Sequence, residues 1–282
     1  VHGVGERGAP LLEELRSLPV EHLVAARLLS MLDDDELTVR ALGEVIATDP
    51  ALSLQVIRLA NSPYYGVRDP VGSVERAVVV VGFSTVRALA ASAAFGLLDE
   101  RGRALPAGFW THAVATAAST ALVSRRGGLA AAEGFSAGLL HDVGAALLFR
   151  HAPRRYDAAL GAAGESGDLL GAERAAFGLT HPEAGAAALA ACRFPPELVE
   201  AVANHHREGA GRCAEAGPLT RALVAGEALA VAAMGIPAAP EAVAPLGDAL
   251  ATAGVDPGWE ELLVEAARAE TEALAGFLAA VV

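Results

Sequence analysis

Apolar residues recur every three or four positions along most of this chain, and the alternation of apolar and polar residues that marks half-buried strands is hard to find. That spacing leaves one class of architecture: the expected fold is all-α. Punctuation in the N-terminal third supports it. Leu12, Leu15 and Leu18 lead to Pro19, and Val39, Leu42, Val45 and Ile46 share a helix face that ends at Asp49-Pro50. Asp49 is placed to cap the next helix, and Pro50 to take its first position, where a missing N–H costs nothing. Leu52, Val56 and Leu59 make that helix's buried stripe, and Asn61-Ser62-Pro63 stops it. Ser73 is expected to cap a helix carrying Val74, Ala77, Val78 and Val81, with Gly82 as its terminator.

The same reading divides the chain. Residues 1–10, rich in Gly and charge, form a flexible leader. Residues 11–100 form an N-terminal helical part, and 101–106 a linker. Helices near 108–124, 133–150, 153–164, 168–177, 181–192, 195–206 and 218–234 build a second bundle over 105–235. A Pro-rich stretch from Ile236 to Pro245 opens the last segment, 236–282, which ends in an amphipathic helix from about Trp259 to Val282. With Trp259, Leu262, Leu263 and Phe277, that helix is expected to cover its own core rather than to dock a partner.

At 282 residues there is ample apolar material for a core. The net charge of −13 disfavours direct binding of nucleic acid or an anionic membrane, so a protein or small-molecule partner is expected. All 21 basic residues are arginine, which removes a phosphate-loop lysine, a Schiff-base lysine and a lysine general base. Cys192 and Cys213 form no CxxC pair and no disulfide framework, which fits a reducing cytoplasm. There is no long uncharged apolar run and no basic-then-apolar N-terminus, so neither a membrane span nor a signal peptide is expected.

His141 and Asp142 stand out inside the apolar run from Ala137 to Gly144, because buried ionisable neighbours need partners. His112, His181, His205, His206 and Glu227 are available, and each is a metal-ligand type. Imidazole with carboxylate suits Fe, Mn, Zn, Ni or Co, and no thiol lies near enough in sequence to suggest a cysteine-based site.

The segments Asp49-Pro-Ala-Leu-Ser53, Arg58-Leu-Ala-Asn-Ser-Pro-Tyr-Tyr-Gly66 and Ser73-Val-Glu-Arg-Ala-Val78 with Gly82 closely resemble the N-terminal signature of HDOD domains, the HD-related output domains of bacterial signalling proteins. The resemblance continues through Leu139-Leu-His-Asp-Val-Gly144, Glu173 to Gly185, Pro195-Pro196 and His205-His206, covering roughly residues 11–235. It implies an N-terminal helical part packed on a bundle related to HD-type metal-dependent phosphohydrolases. It also implies a signalling or regulatory module that acts through a protein partner, with a nucleotide as a possible ligand.

HD-GYP phosphohydrolases use a histidine, a His-Asp pair, a further histidine, a His-His doublet and a late aspartate. His112, His141-Asp142, His181, His205-His206 and Glu227 follow that order, with Glu227 in place of aspartate. The similarity implies one or two divalent transition metal ions. His112, His141, Asp142 and Glu227 would surround one, and Asp142 would bridge to a second held by His181, His205 and His206. The alternative function is then hydrolysis of a phosphodiester in a nucleotide or cyclic dinucleotide, with Asp142 at the catalytic centre.

Two departures oppose catalysis. The lysine that follows His-Asp-x-Gly in active relatives is Ala145, and the Gly-Tyr-Pro element is absent. Arg207 or Arg212 is left to contact phosphate, although a guanidinium does not replace an ammonium by position.

Each histidine also has an ordinary reading. His205-His206 at a helix C-terminus is favourable placement for charge. His181 sits in a Thr180-to-Glu183 capping box, and His112 beside Trp110 fits a hydrogen-bonded core histidine. His2, His22 and His151 receive no role, Asp33-Asp34-Asp35-Glu36 reads as a solvated loop, and Tyr64-Tyr65 as an anchor of a turn on the core.

Overall fold

In the computed structural model the described residues are 8–16, 23–31, 36–97, 105–106, 108–206, 215–235 and 244–274, and among them there is no strand. The N-terminal part comprises α1 (Gly8–Arg16), α2 (Leu23–Met31), α3 (Val39–Ile46), α4 (Pro50–Ala60), α5 (Val74–Val81) and α6 (Phe83–Ala94), with a 3₁₀ turn at Pro63–Tyr65. Its caps are those the sequence predicts. Asp49 Oδ1 accepts from the N–H groups of Ala51 (2.9 Å) and Leu52 (3.0 Å), and Ser73 Oγ accepts from Arg76 N–H. Asn61 stops α4 and also ties down the following loop, donating to the carbonyl of Val71 and accepting from its N–H. Gly82, at φ +83°, ends α5 and begins α6 at a bend of 109°. No single described helix is long and apolar enough to cross a membrane, although the bent α5–α6 pair reaches that length and apolarity together.

The bundle contains α7 (Phe109–Arg126), α8 (Ala131–Leu140), α9 (Val143–His151), α10 (Pro153–Ser166), α11 (Leu169–Phe177), α12 (His181–Ala191), α13 (Pro196–Asn204) and α14 (Pro218–Met234). It is followed by α15 (Leu246–Thr252), a 3₁₀ turn at Pro257–Trp259 and α16 (Glu260–Ala273). α7 is the axis, buried from Ala113 to Ser124 and packed against α8, α14 and α16. Small residues permit this closeness: a methyl at Gly138 of α8 would meet Ala117 Cα at 2.6 Å, and one at Gly226 of α14 would meet Thr120 Cα at 2.6 Å. One apolar core runs from Leu11 through the bundle to Leu274, because α6 packs on both α2 and α8. A smaller cluster lies under α14, α15 and α16, where Leu263 is buried as expected, whereas Leu262 and Trp259 are exposed and do not cover the core.

Three expectations need correction. Residues 8–10, assigned to the leader, begin α1. The helix expected over 133–150 is two helices, broken at His141-Asp142. α15 was not anticipated, because seven residues are too short a window to establish a period. The final helix starts at Glu260, in line with the expected start near Trp259, after a 3₁₀ turn whose first residue follows the capping Asp256. Phe277 lies outside the described residues.

Candidate metal centre

The break between α8 and α9 has a local cause. His141 Nδ1 lies 2.7 Å from the carbonyl of Gly138, which a continuing helix would offer to the N–H of Asp142. The side chain takes the acceptor and the backbone leaves the helix, with Asp142 at φ −97°, ψ 12°. The end of α13 repeats the device: His205 Nδ1 lies 2.7 Å from the carbonyl of Val202. In both, Nδ1–H donates to the carbonyl, so a neutral ring turns its Nε2 lone pair away from its own helix.

Those lone pairs converge. His181, the first residue of α12, directs Nε2 to within 3.4 Å of His205 Nε2 and 3.4 Å of Asp142 Oδ1, and His205 Nε2 is 3.6 Å from that oxygen. Asp142 Oδ2 faces the other way, 3.3 Å from His141 Nε2 and 3.6 Å from His112 Nε2, which are themselves 3.0 Å apart. The side chains form two groups: Asp142, His181, His205 and His206, and His112, His141 and Glu227. All seven residues singled out from the sequence are therefore brought together. Glu227 joins its group despite its extra methylene, and it accepts no hydrogen bond among the described residues although it is only 6% exposed.

Inter-helix packing sets this convergence. A methyl on Gly144 would lie 2.0 Å from the carbonyl oxygen of His181 and 2.5 Å from Gly185 N, so α9 and α12 cross backbone to backbone beside Asp142 and His181. The close contacts at Gly138 and Gly226 bring α8 and α14 onto α7, whose first turn carries His112.

His181 has a support that the sequence reading missed. Glu173 of α11, fully buried, accepts from His181 N–H at 2.7 Å, from its Nδ1 at 2.9 Å and from the Tyr156 hydroxyl at 3.1 Å. Glu173 opens a segment that carries the family resemblance, but its role is not legible in the sequence, because the turn between α11 and α12 makes the contact. The capping box is present too, with Thr180 N–H donating to Glu183, so ordinary helix-start chemistry and placement in the cluster coexist at His181.

The charge states of Asp142, His206 and His112 suit ligation, whereas His141 favours a proton that an ion would displace. Burial alone would raise the Asp142 carboxyl, but His141, His205 and His181 around it hold it well below the usual range. Burial, then the neighbouring His205 and His181, pushes His206 far down and keeps it neutral. His112 is lowered by burial and by His141. For His141, burial works downward, but Asp142 and Glu227 outweigh it and push the ring up to about 8. Three acceptors (His181 Nε2, His205 Nε2 and Asp142 Oδ1) thus face one another, an arrangement that needs positive charge at its centre. A proton relieves one pair, whereas a metal ion engages all three. Metal–ligand bonds near 2.1 Å imply donor separations of roughly 3 to 3.5 Å, and the residues present fit such an ion.

Other residues fall elsewhere. Arg207 and Arg212 lie outside the described residues, as do His2, His22, Cys213 and Asp33 to Asp35. His151 is exposed at the end of α9 and joins neither group. The Tyr64 ring packs 5.6 Å from Phe135 and 4.9 Å from Tyr65, as expected of a turn anchored on the core.

Comparison with known proteins decides the family, since the HDOD domain family matches residues 18–208. The chain belongs to the HDOD family. The HDOD match ends before Glu227, so the group of His112, His141 and Glu227 is completed from outside it. Among solved structures, a candidate phosphohydrolase from Shewanella amazonensis is 28% identical with a TM-score of 0.73, covering 96% of this chain and 100% of that one. A response regulator from Methylococcus capsulatus is 29% identical with a TM-score of 0.51, covering 86% and 95%. An HDOD protein of unknown function from Geobacter sulfurreducens shares the fold at 22% identity and a TM-score of 0.63, covering 95% and 98%. No curated protein matches the chain.

Proposed function

We propose that this chain is a regulatory HDOD module that retains an HD-type metal site and acts on a protein partner in signalling. One observation carries the metal reading: Asp142 presents its two oxygens to two separate groups of ligand side chains. His112, His141 and Glu227 would hold one ion and His181, His205 and His206 the other, with Asp142 between them. Metal content after purification without chelator tests this. One or two equivalents of a transition metal are expected in the wild type and are lost in Asp142→Ala. Their absence from the wild type, even after anaerobic loading with Fe, Mn or Zn, would refute the site.

The two-sided placement of Asp142 also favours a second reading, a metal-dependent phosphohydrolase acting on a nucleotide or cyclic dinucleotide. Ions so placed would supply Lewis acidity and a water of lowered pKa. The chain's own residues support substrate less well, since buried Ala145 offers no charge to a phosphate beside the His-Asp pair. The readings separate on turnover of bis(p-nitrophenyl) phosphate and cyclic dinucleotides. The regulatory reading expects metal without turnover, and chelator-sensitive hydrolysis lost in His141→Ala would establish the second.

A further inference from the structure

The two halves of the cluster are built differently. In the His181 half, two rings have their second nitrogen fixed by a strong acceptor: His181 by the Glu173 carboxylate and His205 by the carbonyl of Val202. Glu173 is itself held on three sides and fully buried, and its contacts are an N–H, a hydroxyl and the His181 ring. A buried carboxylate with no fixed cation beside it among the described residues is stabilised when positive charge sits on the imidazole it touches. A cation at His181 Nε2 supplies that charge through the ring. In the other half only His141 is anchored in this way. His112 has no partner for Nδ1 among the described residues and its side chain is 20% exposed, and Glu227 accepts no hydrogen bond there. These two side chains must be ordered when they ligate, which costs affinity.

We infer that the cluster loads in a fixed order. The Asp142–His181–His205–His206 half is the pre-organised, high-affinity site, with Glu173 and Tyr156 as its positioning residues, and the His112–His141–Glu227 half fills second and exchanges more readily. The inference rests on the metal reading above and adds the order, which the ligand set alone does not dictate. Anchoring partners of this kind change metal affinity by about 10- to 100-fold when removed, so the two halves should differ by at least about tenfold.

The test is a titration of the metal-free full chain with Co²⁺, following visible absorption for coordination and a competing chromophoric chelator for affinity. The wild type is expected to bind in two resolved steps. Glu173→Gln should weaken the first step by about 10- to 100-fold and leave the second in place, with Tyr156→Phe shifting the same step by less. His112→Ala should remove the second step and its absorption and preserve the first. Circular dichroism of each metal-free variant identifies any that fails to fold, and Tyr156→Phe and His112→Ala keep the test decisive if Glu173→Gln does. Two equal steps, or a Glu173→Gln effect confined to the second step, would overturn the order while leaving the metal reading standing. No binding by the wild type would overturn both.

Discussion

Replacing Gly144 with alanine adds one methyl group at the crossing of α9 and α12, and the geometry fixes what must follow. The new Cβ would lie 2.0 Å from His181 O, 2.5 Å from Gly185 N and 2.9 Å from His181 C. All three are backbone atoms, so no flexible side chain can swing aside. The nearest contact has to open from 2.0 Å to at least about 3.0 Å, which moves α12 away from α9 by roughly 1 Å. Overpacking of this kind costs about 1–3 kcal/mol, partly offset by alanine's helix preference of about 1 kcal/mol over glycine. At roughly 2–4 °C per kcal/mol for a chain of this size, the expected outcome is a melting temperature lower by up to about 8 °C. Because Asp142 and His181 lie on opposite sides of that crossing, the same shift lengthens their 3.4 Å approach and weakens metal binding there. Thermal unfolding of the metal-free protein by circular dichroism measures the first effect. Gly161→Ala is the control: this glycine is exposed in α10, and its added methyl would meet nothing within 4 Å. It should stabilise by about 0.5–1 kcal/mol. If Gly144→Ala melts at or above the wild type, the backbone-to-backbone crossing is not what positions His181.

Asp49→Ala removes the oxygen that accepts from both Ala51 and Leu52 and should cost about 0.5–2 kcal/mol in denaturant unfolding; no change would show that Pro50 alone sets the start of α4. Burial raises the Glu270 carboxyl even though Arg125 lies 2.6 Å away, so the folded chain binds this proton more tightly than the unfolded chain and stability falls as pH rises through the raised value. Glu270→Gln abolishes that loss, so the melting temperature of the variant minus that of the wild type should increase from acid to neutral pH, and a flat or falling difference would contradict it. Burial also pushes the Cys192 thiol up to about 11 from an ordinary 9.0, which leaves about a hundredfold less thiolate at pH 8. Iodoacetamide labelling of the native protein, read at Cys192 by peptide mass spectrometry, should be correspondingly slow and become fast on unfolding; rapid native labelling would refute the burial argument.

Much of the fold was legible because its signals are local. Asp49-Pro50, Ser73 and Gly82 bound α4 and α5 through bonds made within four residues, and α14 occupies the 218–234 span its spacing predicts. The break at His141-Asp142 was not legible from periodicity. The run stays apolar across it, and the interruption comes from a histidine ring competing for one backbone carbonyl. Glu173 was missed for a related reason. It opens a family-like segment, but its role under His181 depends on the turn that carries it there.

The chain by itself determined the helical class, most of the helix ends and the identities of the seven candidate ligands, because caps, prolines and apolar spacing act over one or two turns. Tertiary structure alone decided that Asp142 divides its oxygens between two groups, that Nε2 is the nitrogen turned inward on His141, His181 and His205, and that a buried glutamate stands behind one of them. Those facts depend on how closely α7, α8, α9, α12 and α14 approach, which Gly138, Gly144 and Gly226 permit by lacking a Cβ. The distance between two helices belongs to neither helix's own sequence.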